Sequence, residues 1–160
     1  MSFLIKSDVA CPWSVNAEEL VKNRFDVLVD FLIESINGGA REVYIMLCDG
    51  TTYRISSIPS RRARDVARWL LSTQPIRTDL KSIIGRYRKV YYLHEEGRDV
   101  ADVELDGGGL YVFGDHDGLS NEDEELLAKH AVWISLGPIP YMSWQAAAYL
   151  AYLLRRANLI

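Results

Sequence analysis

A chain of 160 residues with 49% hydrophobic and 25% charged side chains has the composition of an ordinary folded protein and can bury a sizeable core. It has no apolar run as long as a membrane span, and the opening "MSFLIKSD", with one lysine and a very short apolar stretch, lacks the pattern of a signal peptide. The net charge of −4 conceals a division: residues 54–89 carry ten basic side chains against only Asp65 and Asp79, a local +8 within a remainder of −12.

In chain order, "FLIKS" at Phe3–Ser7 predicts a short strand. Cys11 and Cys48 have no metal-ligand spacing and are expected as reduced thiols of a cytoplasmic protein. Asn16 with Glu19 forms a plausible capping box, followed by Val21, Phe25, Leu28, Leu32 and Ile36 at helical spacing, and Asn37-Gly38-Gly39 ends that helix. "EVYIMLCDGTTYRIS" is strand, Asp-Gly turn, strand. Ser60 to Ser72 is helical, with Val66, Trp69 and Leu70 on its apolar side. A short helix over 78–85 follows Pro75. "KVYYLH" is a strand, Gly107–Gly109 a turn and "LYVFG" a strand. A helix from Ser120 to Lys129, the strand "VWISL" and a last helix from Ser143 to Arg156 complete the chain. Strands alternating with helices predict an α/β domain spanning 1–160, with a mostly parallel sheet, helices on both faces, and 59–85 as a basic peripheral segment.

Open sheets of this kind bind ligands beyond the carboxyl ends of their strands. Three such ends stand out: Leu93-His94, Phe113 to Gly118, and Leu136 to Met142. The triple glycine precedes a strand rather than a helix, and there is no P-loop. The helix after "GDHDG" opens with four acids that would repel an anion, so phosphate is not expected there. Asp115, His116 and Asp117 are consecutive, diverge in direction, and do not suggest a metal site. "ISLGPIPYMS" offers a rigid loop whose main-chain groups could read a planar base. The last helix is apolar nearly all round, which implies burial in the core or in a subunit contact. The basic block fits either an RNA footprint or a solvated face.

Taken in order, Tyr92-Leu93-His94, Gly114-Asp115-His116 and Ser135-Leu136-Gly137-Pro138 resemble the archaeal tRNA pseudouridine-54 N1-methyltransferases, members of the SPOUT class of knotted methyltransferases. The resemblance is carried by residues 89–143 and, more weakly, by "NRFDVLVDFLIESI". It implies a C-terminal trefoil knot and a homodimer formed through the last helix. It also implies S-adenosylmethionine as donor, held by Leu93, His94, Phe113, Gly114, Asp115, His116, Gly118, Ser135, Leu136, Gly137, Pro138, Met142 and Ser143. Asp26 would be the catalytic residue that positions or accepts the N1 proton. Its other reading is a solvated face, since Lys22, Asp26, Asp30 and Glu34 are spaced i,i+4. Arg24 and the arginines at 61, 62, 64 and 68 would contact tRNA or another structured RNA. Neither membrane nor metal is implied. The chain departs from the family at Trp144-Gln145-Ala146 and at Ala151–Arg155. The donor side is thus preserved and the acceptor side altered, which keeps two alternatives open: methylation of a different RNA nucleoside, or a catalytically silent RNA-binding relative.

Overall fold

The computed structural model describes every residue from Met1 to Ile160. Strands β1 (Ser2–Lys6), β2 (Glu42–Met46), β3 (Thr51–Ile55), β4 (Ile76–Arg77), β5 (Val90–Asp99), β6 (Leu110–Gly114) and β7 (Val132–Ser135) make one sheet. Their order is β4-β3-β2-β1-β6-β5-β7. Strands β1, β2, β5, β6 and β7 are parallel, and β3 and β4 extend the sheet antiparallel at one side. The helices are α1 (Phe25–Asn37), α2 (Ala63–Ser72), α3 (Leu80–Ile84), α4 (Asn121–His130) and α5 (Ser143–Arg156).

Alternation along the strands divides the apolar side chains between two faces. Phe3, Ile5, Tyr111 and Phe113 face a cluster of 31 buried residues that also takes in α1, α2 and α5. Leu4, Tyr44, Tyr92 and Val112 face a cluster of 11 with α3 and α4. The α1/α5 side is therefore the main core and α3/α4 a thinner cover. Residues 59–85 contribute to both: Val66, Ala67 and Leu70 to the first, Leu80, Ile83 and Ile84 to the second.

Helix α5 buries the stripe Ala146, Ala147, Leu150, Ala151 and Leu154 and leaves Gln145, Tyr152, Arg155 and Arg156 exposed, so it is covered on one face rather than on all. It lies so close to the end of α1 that a Cβ on Gly38 would come within 2.7 Å of that of Ala151. Strand β5 is longer than "KVYYLH". Leu93 and Arg98 both pair with Ile134 across an irregularity in β5, and Gly97 packs against the β7 backbone, where a Cβ would lie 2.5 Å from the Ile134 nitrogen.

Two expectations are corrected. Cys11 and Cys48 are not free thiols; they form a disulfide, which removes the basis on which the cysteines pointed to the cytoplasm. The helix expected behind Asn16 is not continuous. Asn16 does accept the Glu18 and Glu19 N–H groups, at 2.9 and 2.8 Å, but Asn23 and Arg24 adopt left-handed backbone with φ of 54° and 55°. The helix restarts at Phe25.

Candidate active site

Since the parallel strands point one way, their carboxyl ends share one edge of the sheet. The amino ends of α1, α4 and α5 lie along that same edge. The bends after Leu93, Phe113 and Ser135 meet there. Leu93, His94, Glu95, Tyr141 and Ala146 line both of two adjoining hollows. One, of about 380 Å³, is completed by Phe113 to Gly118 and Ser143. The other, of about 110 Å³, is completed by Ile134 to Gly137 and Ile139. A third hollow of about 450 Å³, mostly apolar, shares Leu136 and Gly137 and extends to Tyr149 and Leu153.

Each bend is fixed by its own residues. In the first, the His94 ring lies between Trp133 and Tyr92; its Nδ1 accepts the Glu96 N–H at 3.0 Å. The hydrogen of the neutral ring then sits on Nε2, 3.3 Å from a Glu124 oxygen that also accepts the Tyr92 hydroxyl at 2.9 Å. In the second, Gly118 has φ of +76°, and a Cβ on Gly114 would meet the Gly118 Cα at 2.9 Å, so both positions demand glycine. Asp115 is buried while His116 and Asp117 are exposed, so the three do not converge. Burial raises the Asp115 pKa, against the opposing pull of the nearby Ser7 hydroxyl and of the Asp117 N–H, whose hydrogen bond its carboxylate accepts at 3.0 Å. In the third, the Ser135 hydroxyl accepts the Gly137 N–H at 3.2 Å, and Gly137 turns the chain with φ of +112°. Pro138 is exposed at the lip. Met142 caps α5, its N–H accepted by Gln145 Oε1 at 2.9 Å, and the Ser143 hydroxyl donates to the Gly114 carbonyl at 2.5 Å, joining the second bend to the helix after the third.

Arg24 and Asp26 stand at the amino end of α1 on this edge. The guanidinium donates through Nε and Nη2 to the two carboxylate oxygens, at 3.1 and 3.2 Å. That bidentate contact, with a weaker pull from Asp117 in the second bend, raises the Arg24 pKa. The paired left-handed residues are unusual outside glycine, and such conformations cluster at functional sites. They turn the chain so that Arg24 folds back over Asp26 instead of continuing along a helix.

The other expected RNA contacts are scattered. Arg61 lines a shallow hollow with Ile36, Asn37 and Pro59, at the opposite edge of the sheet, and Arg62 caps α2 at that same end. Arg68, one helix length away, donates to Glu18 at 2.8 Å, and Arg64 adds a weaker pull on the same carboxylate. A polar cleft of about 760 Å³ lies on the α3/α4 side, with six carboxylates against three lysines, including the Lys6–Asp123 ion pair.

This arrangement has known counterparts. Residues 71–154 match the family described as "Putative SAM-dependent RNA methyltransferase". A tRNA (pseudouridine(54)-N(1))-methyltransferase of Pyrobaculum aerophilum is 75% identical over 136 residues, 85% of this chain and 99% of that protein. The chain belongs to this family. The methyltransferase of the same name from Methanopyrus kandleri is 44% identical over 77 residues, and the match spans 38% of its length. Among solved structures, Archaeoglobus fulgidus Nep1 bound to S-adenosylhomocysteine superposes with a TM-score of 0.70 at 20% identity, covering 86% of this chain and 73% of that one. The methyltransferase AviRb of Streptomyces viridochromogenes, solved with AdoMet, superposes at 0.63 and 14% identity. These likenesses show that the α/β fold is the one shared by these methyltransferases.

Within this pseudouridine-methyltransferase family the hollows fit an adenosyl sulfonium donor. Their walls are apolar at Leu93, Leu136 and Ala146, main-chain groups line the bends, and Asp115 and Asp117 supply the anionic surroundings a sulfonium tolerates and a phosphate does not. Reading the sequence missed three parts of the site. Ser7 is fully buried; it accepts the Ala10 N–H at 3.0 Å and lies near Asp115, yet a small polar residue at a strand end gives no distinctive signal. Gln145, noted only as a departure, caps the last helix. The break at Asn23 could have been suspected, because asparagine tolerates left-handed backbone.

Proposed function

We propose that this protein methylates N1 of pseudouridine 54 in the T-arm of tRNA, taking the methyl group from S-adenosylmethionine. The observation that carries this reading is the 75% identity, over nearly the whole of a relative named for that reaction; the three bends and the Arg24–Asp26 pair on one edge of the sheet support it. The donor would be held at Leu93-His94, Phe113–Gly118 and Ser135–Ser143, its adenine read by main-chain groups of the last segment. When bound, S-adenosylmethionine supplies a methyl carbon already activated by its sulfonium and departs as the neutral thioether. The chain's own work is alignment. N1 of the base approaches along the line of the breaking bond, forms the N–C bond and gives up its proton. In this reading Asp26 receives that proton, which is supported by each carboxylate oxygen keeping a lone pair beyond the one given to Arg24. Arg24 holds the carboxylate in place and faces RNA, while Arg64 and Arg68 are the arginines of α2 nearest this edge.

In this reading residues 1–160 act as one knotted domain and work as a homodimer. The close approaches of Gly97 to the β7 backbone and of Leu159 to Gly107 support the threading. The exposed Ile139, Tyr141 and Tyr152 on and before α5 support the dimer. The test is nucleoside mass spectrometry of pseudouridine-containing tRNA incubated with the protein and labelled donor. N1-methylpseudouridine at position 54 is expected; label on another nucleoside, or none, overturns the assignment.

A further inference from the structure

The segment between β1 and α1 is fastened at close intervals. The Ser7 hydroxyl accepts the Ala10 N–H at 3.0 Å, Cys11 is bonded to Cys48, and the Cys48 N–H donates to the Ala10 carbonyl at 2.9 Å. Ala10, Val15 and Ala17 are buried in the main core. Between these anchors, Cys11-Pro12-Trp13-Ser14 makes a tight turn. The Ser14 N–H donates to the Cys11 carbonyl at 2.9 Å, the Ser14 hydroxyl accepts the Cys11 N–H at 3.1 Å, and Pro12 occupies the second position, where a fixed φ suits a turn. Trp13 rides at the tip with 76% of its surface exposed, whereas Trp69, Trp133 and Trp144 are all partly covered. A disulfide, a proline and a buried flank thus hold a large apolar ring out in water. Nothing in the fold uses that ring.

Its surroundings indicate what would. The Ser14 carbonyl accepts the Asn23 Nδ2–H at 3.5 Å, which sets the Trp13 turn beside the left-handed pair leading into Arg24 and Asp26. Val21, 69% exposed, and Lys22 lie on the same segment. Glu18, which would repel phosphate there, is engaged by Arg68. The surface bordering the Asp26 carboxylate therefore combines a rigid aromatic face with basic side chains, the two elements that hold unpaired nucleic acid. A nucleoside that must reach a donor in a hollow leaves the stack, and its neighbour loses a stacking partner.

Resting on the function proposed above, we propose that Trp13 is a stacking platform for an unpaired base of the RNA adjoining the methylated nucleoside. The preorganised turn means that little side-chain freedom is lost when the base docks.

The test uses the full-length protein with a T-arm stem-loop RNA containing pseudouridine. Trp13→Ala is expected to raise KM for the RNA on the order of tenfold or more, the usual scale for one lost base–aromatic stack. kcat and the KM for S-adenosylmethionine should stay at the wild-type values. Trp13→Phe should recover most of the loss. Adding RNA should quench tryptophan fluorescence in the wild type, and that quench should vanish in Trp13→Phe. An unchanged RNA KM in Trp13→Ala overturns the proposal. So does a fall in kcat alone, or a loss that phenylalanine does not restore. A wild-type protein that binds this RNA without methylating it would instead overturn the functional reading, and the fluorescence titration would still decide the platform.

Discussion

Asp26 and Asp115 are both carboxylates on the same edge of the sheet, and their surroundings give them different work. Asp26 is partly exposed and gripped by Arg24, with room to meet a substrate; Asp115 is buried and accepts the Asp117 N–H. Asp26→Asn is expected to lower kcat by roughly 10²- to 10⁴-fold, the range for losing a positioned proton acceptor. Calorimetric affinity for S-adenosylhomocysteine should not change; weakened donor binding would instead mark Asp26 as part of the donor pocket. Asp115 is tested by stability. Burial raises its pKa, so just above the ordinary carboxylate range the folded protein holds more protons than the unfolded chain. Stability contributed by this group is present at low pH and is lost as pH rises through that window. Asp115→Asn cannot ionise and can still accept from the Asp117 N–H through its amide oxygen. Thermal melts across the acid range should show a flatter pH dependence for this variant than for the wild type.

At the scale of elements, the sequence showed the regular parts clearly. Strands "FLIK", "VYY" and "LYVF" lie between helices on both faces, so they are continuously apolar and easy to recognise. The last helix, Ser143–Arg156, is found with the boundaries its pattern suggests. What was hidden depends on distant partners. "EEGRD" is polar and gives no strand signal, yet it continues β5 because Arg98 and Asp99 pair with Ile134 and Ser135 beyond the irregularity after Leu93. Strand β4 is two residues long and exists only through pairing with Thr51 and Thr52. Cys11 and Cys48 are 37 residues apart, and nothing local says that the turn after β2 lies against the segment after β1. The donor bends were legible because glycine and proline mark tight turns. The Arg24–Asp26 geometry was not, because regular apolar spacing concealed the helix break. Removing the disulfide with Cys11→Ser and Cys48→Ser together is expected to cost about 4 kcal/mol for a loop of this length. Denaturant unfolding measures it; an undiminished midpoint would mean that the bridge does not form in solution.

For the molecule as a whole, the parts of the proposed site lie along one edge: the bends from β5, β6 and β7, the Arg24–Asp26 pair from α1, and the fastened segment carrying Trp13. The opposite edge carries Arg61 and Arg62 and none of these parts. The uncovered face of α5, with Tyr152 52% exposed, is where a second copy is proposed to dock. Sedimentation should give a dimer for the wild type and a monomer for Tyr152→Glu, with the far-UV circular dichroism unchanged in the variant; a dimeric variant would move the interface elsewhere. The most direct measurement is a crystal structure of the protein with S-adenosylhomocysteine and a pseudouridine-containing T-arm stem-loop. The thioether sulfur should lie between the bends at Leu93, Gly114 and Leu136, with N1 of the unstacked pseudouridine between that sulfur and the Asp26 carboxylate. A cofactor seated in the Lys6–Asp123 cleft, or a target base approaching from an edge that Asp26 cannot reach, would contradict the account.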